Sequence, residues 1–162
     1  MPNDRAPGRT DRPEERLARL EEILSSRILL LDGATGTLLQ SYRLEEADYR
    51  GERFAGHGRE LRGDHDVLSL TRPDVVRAVH EAYLEAGADV IETNSFTATA
   101  IAQADYGLEP HVREMNREAA RLARSAAEDW SRRTPDRPRV VAGSLGPTNR
   151  TLSLSPDVND PG

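Results

Sequence analysis

Two clusters of small and polar residues in this chain follow strand-like apolar runs and can bind a small ligand. Asp32 and Gly33 follow the run 28–31, and Asn94 and Ser95 follow a second run further along. A carboxylate can hold an ammonium group or accept a proton, amide and hydroxyl groups exchange hydrogen bonds, and a glycine lets a ligand approach the backbone. These residues, together with Glu92 and Thr93 at the end of the second run, are therefore candidate binding residues.

Each cluster also has a purely structural interpretation. Asp32 is equally suited to form a turn or to cap the segment after it. Glu92, within the second run, would be meaningful if it faced a ligand, but it could also sit at a sheet edge or in a salt bridge. Strand alternation sends Glu92 and Asn94 to one face and Thr93 and Ser95 to the other. A third cluster, residues 143–150, can shape a pocket or form a tight turn.

The elements that must position these clusters alternate between strands and helices. Short apolar runs predict strands at 28–32, 89–93 and 139–143, and helical spacing predicts helices at 13–26, 71–86 and 110–132. This α/β alternation implies a parallel sheet with right-handed crossovers, which brings the carboxyl ends of the strands to one edge. Both a doubly wound open sheet and a (β/α)₈ barrel fit, although three strands cannot close a barrel of roughly 250 residues.

The helix at 71–86 carries end signals in its sequence. Thr71 is placed as an N-cap with Asp74 three residues later, and Gly87 is placed to end the helix in the left-handed conformation. The long polar stretch before it, residues 43–66, has no sustained periodicity. Its aromatic residues Tyr49 and Phe54 predict that it packs against the domain.

Composition narrows the class of protein. The chain has 162 residues, a net charge of −6 and no cysteine, and its mean hydropathy is −0.67. These values predict one soluble cytoplasmic domain at 13–162 behind a flexible tail at 1–12, without disulfides, thiolate metal sites or a membrane span. The negative charge argues against nucleic-acid binding.

Other catalytic patterns are absent from the sequence. The four histidines lack the i, i+4 spacing typical of helical metal sites, and no GxSxG motif is present. The GATG turn at 33–36 lacks both the GxGxxG spacing and the P-loop lysine, so dinucleotide or nucleotide binding has weak support.

Three segments carry a family resemblance: ADYRGERF at 47–54, ETNSF at 92–96 and GPTNRTLSLSPDVNDP at 146–161. With the DG pair at 32–33, they resemble the N-terminal homocysteine-binding module of cobalamin-dependent methionine synthase, within the homocysteine S-methyltransferase family. The resemblance extends over about residues 15–162. The ADYRGERF segment points to the cobalamin-dependent branch.

The resemblance implies a (β/α)₈ barrel whose rim binds homocysteine through its sulfur on a zinc ion held by three cysteine thiolates. It also implies a methyl donor, methylcobalamin, that is carried on another module and recharged from methyltetrahydrofolate. Asp32 and Gly33 are expected to contact the amino-acid end of homocysteine, and Asn94 and Ser95 are expected to line the same pocket.

The absence of cysteine departs from that pattern. We therefore expect a fragment, the N-terminal part of the barrel with about three βα units, whose zinc ligands lie beyond Gly162. This part alone is expected to bind neither zinc nor cobalamin and to be inactive. Two alternatives remain open: a stand-alone homocysteine S-methyltransferase with a sulfonium or betaine donor, and a non-catalytic half-barrel binding protein.

Overall fold

The structure, a computed structural model, describes residues 13–148; the predicted tail at 1–12 and residues 149–162 lie outside this range. Seven α-helices and two β-strands occur within it. In chain order they are α1 (Pro13–Ser26), α2 (Thr35–Ser41), α3 (Glu46–Arg50), α4 (Leu68–Thr71), α5 (Pro73–Ala86), β1 (Val90–Glu92), α6 (Ala100–Gln103), α7 (Val112–Arg133) and β2 (Val140–Ala142). Single turns of 3₁₀ helix precede α4 and α7, at His65–Val67 and Glu109–His111.

The sheet is parallel, as the alternation of elements predicted. β1 pairs with β2 in the register Val90↔Val140. On the opposite edge of β1, Leu31 forms a single parallel bridge to Val90, and the Asp32 N–H donates to the Val90 carbonyl at 2.9 Å. All three predicted strand segments therefore lie side by side.

The predicted strand at 28–32 is not formed as a regular strand. Only the bridge at Leu31 joins it to β1, so the described range holds two of the three strands expected for three βα units. Ile28 and Leu31 are 84% and 57% exposed, so this apolar segment is not covered by the other described residues. The backbone pairing ends at Asp32 because the next N–H along β1, that of Glu92, donates its hydrogen bond to the Asp32 carboxylate and not to a backbone carbonyl.

The predicted N-cap of helix α5 is wrong by one residue. Thr71 is the last residue of α4, and Arg72 occupies the N-cap of α5. The Asp74 carboxylate binds the guanidinium of Arg72, with Nε to Oδ1 at 3.0 Å and Nη2 to Oδ2 at 2.8 Å, so no capping box forms. The other end is as predicted, because Gly87 ends the helix with φ +107°.

Two apolar clusters hold the elements together. One cluster lies between α5, α7 and β1 and is centred on Leu84, Ile91 and Ala123. The other includes Tyr49 and Phe54, which anchor the polar stretch 43–66 as predicted. No helix in the part of the chain that the structure describes is both long and apolar enough to span a bilayer.

A buried ion cluster joins three segments at the amino end of β1. Asp89 is 1% exposed and accepts hydrogen bonds from Arg27 at 2.7 and 3.0 Å, from the Leu30 N–H at 3.1 Å and from Arg137 at 2.9 Å. Burial alone would raise the pKa of Asp89, but these donors outweigh it and hold the pKa well below its ordinary value. The cluster fixes α1 and the approach to β2 against β1.

Candidate functional site

A cleft of about 710 Å³ opens at the carboxyl ends of β1, β2 and the segment that ends at Asp32. Parallel α/β proteins bind ligands at this edge of the sheet. The described residues that line the cleft are Gly33, Ala34, Thr35, Gly36, Gly63, His65, Asp66, Glu92, Thr93, Asn94, Ser95, Phe96, Thr97, Ala102, Asp105, Tyr106, Ser144, Pro147 and Thr148. Three of the four residues that the resemblance assigns to the homocysteine pocket are among them, and the fourth, Asp32, lies directly behind the wall.

Asp32 is buried and bound to the end of β1. Its Oδ1 and Oδ2 accept the Glu92 N–H at 3.1 and 3.0 Å. Burial, and to a lesser degree the charge of Glu92, raises the pKa of Asp32 to about 6, while the hydrogen bond from Glu92 works to lower it. Asp32 is therefore mostly ionised at neutral pH, and it places a negative charge next to Glu92, whose side chain lines the cleft.

Gly33 forms part of the cleft wall. A Cβ added at this position would meet no other atom within 4 Å, so the space in front of its backbone is open. This agrees with the expectation that glycine leaves room for a ligand there. The contacts of Asp32 and Gly33 with homocysteine remain predictions.

Asn94 uses both hydrogens of its amide within the protein. Nδ2 donates to the His65 carbonyl at 2.7 Å and to the Ser69 Oγ at 3.2 Å. This ties the end of β1 to the turn that begins α4. Oδ1 is the remaining polar group of the side chain, so Asn94 can offer a ligand a hydrogen-bond acceptor.

Ser95 belongs to a closed set of hydroxyl contacts. Its Oγ donates to the Ser144 carbonyl at 2.9 Å and lies 2.7 Å from the Thr93 Oγ1, which accepts the Ser144 N–H at 2.9 Å. Because the Ser95 proton is committed to Ser144, Thr93 is the donor between the two hydroxyls. Thr93 and Ser95 lie on one side, as strand alternation predicted, and together they hold the loop after β2 against β1.

Two further carboxylates were not selected as site residues from the sequence. Asp66 lines the cleft, and its Oδ2 accepts the Thr97 N–H at 3.1 Å and the Thr97 hydroxyl. Asp64 lies behind it, and its Oδ1 accepts from Gln103 Nε2 at 3.0 Å. The GDHD segment at 63–66 was the available signal, but its polar residues are equally typical of a turn.

Burial dominates the electrostatics of this pair. It raises the pKa of Asp64 to about 6, with a smaller contribution from the charge of Asp66, against hydrogen bonds that lower it. Burial likewise raises the pKa of Asp66, although its two bonds from Thr97 lower it. The cleft wall is thus rich in hydrogen-bond acceptors and negative charge.

Phe96 lines the cleft, and Gly146 packs closely against it. The Gly146 N–H donates to the Phe96 carbonyl at 2.9 Å. A Cβ on Gly146 would lie 2.7 Å from both that oxygen and the ring atom Cε1, so only glycine fits without displacement. Phe96 keeps 55% of its surface exposed and can cover a bound ligand.

The residues present do not form the zinc site that the resemblance implies. The chain has no cysteine, and within residues 13–148 no three His, Asp or Glu side chains are grouped so that they could hold a metal ion. His57 is occupied with the Tyr106 carbonyl at 2.7 Å, and His80 is fully buried in α5.

The parallel sheet and its acidic cleft define the chain as an α/β protein with an open cleft at the strand ends. The model of the homocysteine S-methyltransferase family matches residues 29–161, and the chain belongs to this family.

Two solved structures of the homocysteine methyltransferase MmuM from Escherichia coli are similar to it. The oxidized form is 31% identical in sequence to this chain, with a TM-score of 0.61, and the match covers 79% of this chain and 40% of the MmuM chain. The metallated form is 30% identical, with a TM-score of 0.59, and the match covers 79% of this chain and 41% of the MmuM chain. The chain thus spans about two fifths of the length of MmuM.

Proposed function

We propose that the cleft binds homocysteine, with the ammonium group directed towards Asp32 and Glu92. Family membership supports the substrate, and the acceptor-rich wall supports the orientation. Asp32 carries a negative charge at neutral pH, and Asn94 Oδ1 adds an acceptor. The observation that supports the proposal is that Gly33, Asn94 and Ser95, from two distant segments, line one cleft, while Asp32 is bound to the backbone of Glu92 in the same wall.

The whole reaction is methyl transfer to the homocysteine sulfur, giving methionine. In this proposal the described residues bind and orient the amino-acid end of the substrate. The zinc that the family resemblance implies, once bound by residues outside this chain, would activate the sulfur as a thiolate. We propose that the chain belongs to the N-terminal part of a (β/α)₈ barrel that carries both functions, in a cytoplasmic enzyme.

We infer that the donor is methylcobalamin, carried with a methyltetrahydrofolate module on the same full-length chain. The ADYRGERF segment supports this branch; it begins within α3, and its Tyr49 and Phe54 side chains are buried. The second candidate is a stand-alone homocysteine S-methyltransferase with a sulfonium or betaine donor, and the similarity to a homocysteine methyltransferase supports it equally well.

The test is a methyl-transfer assay of the full-length protein with labelled methyl donors. Methionine formed from methylcobalamin, and not from a sulfonium or betaine donor, is the expected result. Turnover with a sulfonium donor alone would select the stand-alone enzyme. Failure to bind homocysteine in calorimetry would contradict the proposal for the cleft itself.

A further inference from the structure

A second recess of about 460 Å³ adjoins the cleft. Gly63 and His65 line both, so they form a common wall between the two spaces. Arg43, Arg62 and Glu60 also line the recess. An anionic group in the recess would therefore be separated from the cleft only by the wall that Gly63 and His65 form.

The two spaces differ in charge. The described residues of the cleft wall include Asp66 and Glu92 but no arginine or lysine. A zwitterionic or anionic ligand needs a cationic partner for its negative group, and this acidic wall does not supply one. Arg43 and Arg62, which line the recess, can supply that cationic partner.

The backbone of Arg43 is unusual. Its φ is +52°, and within residues 13–148 it is the one residue other than glycine with a positive φ. It follows the end of α2, and its N–H donates to the Gln40 carbonyl at 3.0 Å. Glycine or asparagine would end a helix in this conformation at lower cost, by about 1 kcal/mol. An arginine at this position indicates a role for its side chain.

The guanidinium of Arg43 is exposed and takes part in no hydrogen bond or ion pair with any residue in the described range. Arg62 differs, since it binds Glu45 at 3.0 Å. A guanidinium presents paired donors that match the two oxygens of a carboxylate or phosphate. Arg43 therefore has its full donor set available to a ligand.

We propose that the recess is an anion subsite in which Arg43 binds a carboxylate or phosphate group of a ligand held in the cleft. The inference rests on the proposed function only in taking the cleft as the substrate site. The anionic group can belong to homocysteine or to the methyl donor, and the kinetic test below separates these sources. Glu60 weakens the binding of anions by repulsion.

The direct test uses inorganic phosphate as the probe, with the full chain at constant ionic strength and phosphorus NMR as the readout. Arg43→Gln removes the charge, and Arg43→Gly also removes the backbone strain. Both should weaken phosphate binding about tenfold, the value of one charge-assisted hydrogen bond. Glu60→Gln should strengthen it. The matched control is Arg113→Gln, which removes another exposed arginine, on α7, with no bonded partner in the described range.

Stability distinguishes a binding role from a structural one. Arg43→Gly should unfold at a higher denaturant concentration than the wild type, because glycine adopts a positive φ freely. Lower stability of this variant together with unchanged phosphate binding would overturn the proposal. An equal loss of binding in Arg113→Gln would do the same, since it would show only non-specific attraction.

Kinetics of the full-length enzyme identify the source of the anionic group. If Arg43→Gln raises KM for homocysteine, the recess holds the homocysteine carboxylate, and if it raises KM for the donor, it holds the donor. If it leaves both KM values unchanged, the subsite is refuted. The proposed function is tested separately by Asp32→Asn, so the two failures are distinguishable.

Discussion

The Asp32 carboxylate occupies the place of a backbone carbonyl in the ladder to β1. After the Asp32 N–H binds the Val90 carbonyl, the next donor along β1 is the Glu92 N–H, and it is the side chain of Asp32 that accepts it. One residue thus ends the strand pairing and fixes a negative charge at the ligand edge. The structural and functional interpretations of Asp32 are therefore compatible.

Replacing Asp32 tests its charge separately from its hydrogen bond. Asp32→Asn keeps an oxygen to accept the Glu92 N–H but loses the charge, so KM for homocysteine in the full-length enzyme should rise by about tenfold or more. The wild-type KM should also rise as the pH falls through about 6, because the protonated carboxyl no longer attracts an ammonium group. Asp136→Asn, at an exposed position, is the control, and an equal KM in all three proteins would remove Asp32 from the site.

Asp64 should make stability depend on pH in the direction opposite to most carboxylates. Its pKa in the folded protein is raised to about 6, against about 4 in the unfolded chain. The contribution of Asp64 to the free energy of unfolding is therefore complete below about pH 4 and is lost as the pH rises through about 6. The stability of Asp64→Asn relative to the wild type should therefore increase by up to about 3 kcal/mol between pH 4 and pH 7.5.

Urea unfolding at the two pH values measures this difference. The Oε1 of Gln103 is buried without a hydrogen-bond partner in the described range, so an amide at position 64 adds a donor near it. A difference between the variant and the wild type that does not change with pH would show that Asp64 is not buried as a charged group.

Asp89 should show the usual pH dependence. Its pKa is depressed, so its contribution is present above the unfolded pKa of about 4 and is lost as the pH falls towards the lower folded value. Asp89→Asn should cost about 2–3 kcal/mol at pH 7, because Arg27 and Arg137 lose a charged partner. The cost should shrink in strong acid, and an unchanged unfolding midpoint at pH 7 would contradict the structural role of the cluster.

The two glycines after β2 provide a matched pair. Gly146→Ala places a Cβ 2.7 Å from the Phe96 carbonyl oxygen, so the loop after β2 and Phe96 must move apart, at a cost of about 1–3 kcal/mol. Gly143→Ala meets no atom within 4 Å and should be nearly neutral. Thermal unfolding and homocysteine affinity of both variants test this, and equal effects would show that the contact with Phe96 is unimportant.

Local signals predicted several elements correctly. Helix α1 spans the predicted 13–26, and Gly87 ends α5 as expected, because helical spacing and a left-handed end depend on neighbouring residues alone. Thr71 failed as a cap because α4, a short helix formed by a run too brief to identify from the sequence, already included it. The strand predicted at 28–32 is not regular because the Asp32 side chain, and not the strand backbone, accepts the hydrogen bond from the Glu92 N–H.

The sequence by itself determined the parallel α/β class, the family and the two clusters that contain the candidate site. These follow from the spacing of apolar residues, from the residues that end helices and from sequence motifs, all of which are local in the chain. Only the tertiary structure decided which groups are committed and which are available to a ligand. The Ser95 proton is taken by Ser144, the Asn94 amide by His65 and Ser69, and the Asp32 carboxylate by Glu92. Such pairings join residues far apart in the chain, and no local pattern encodes them.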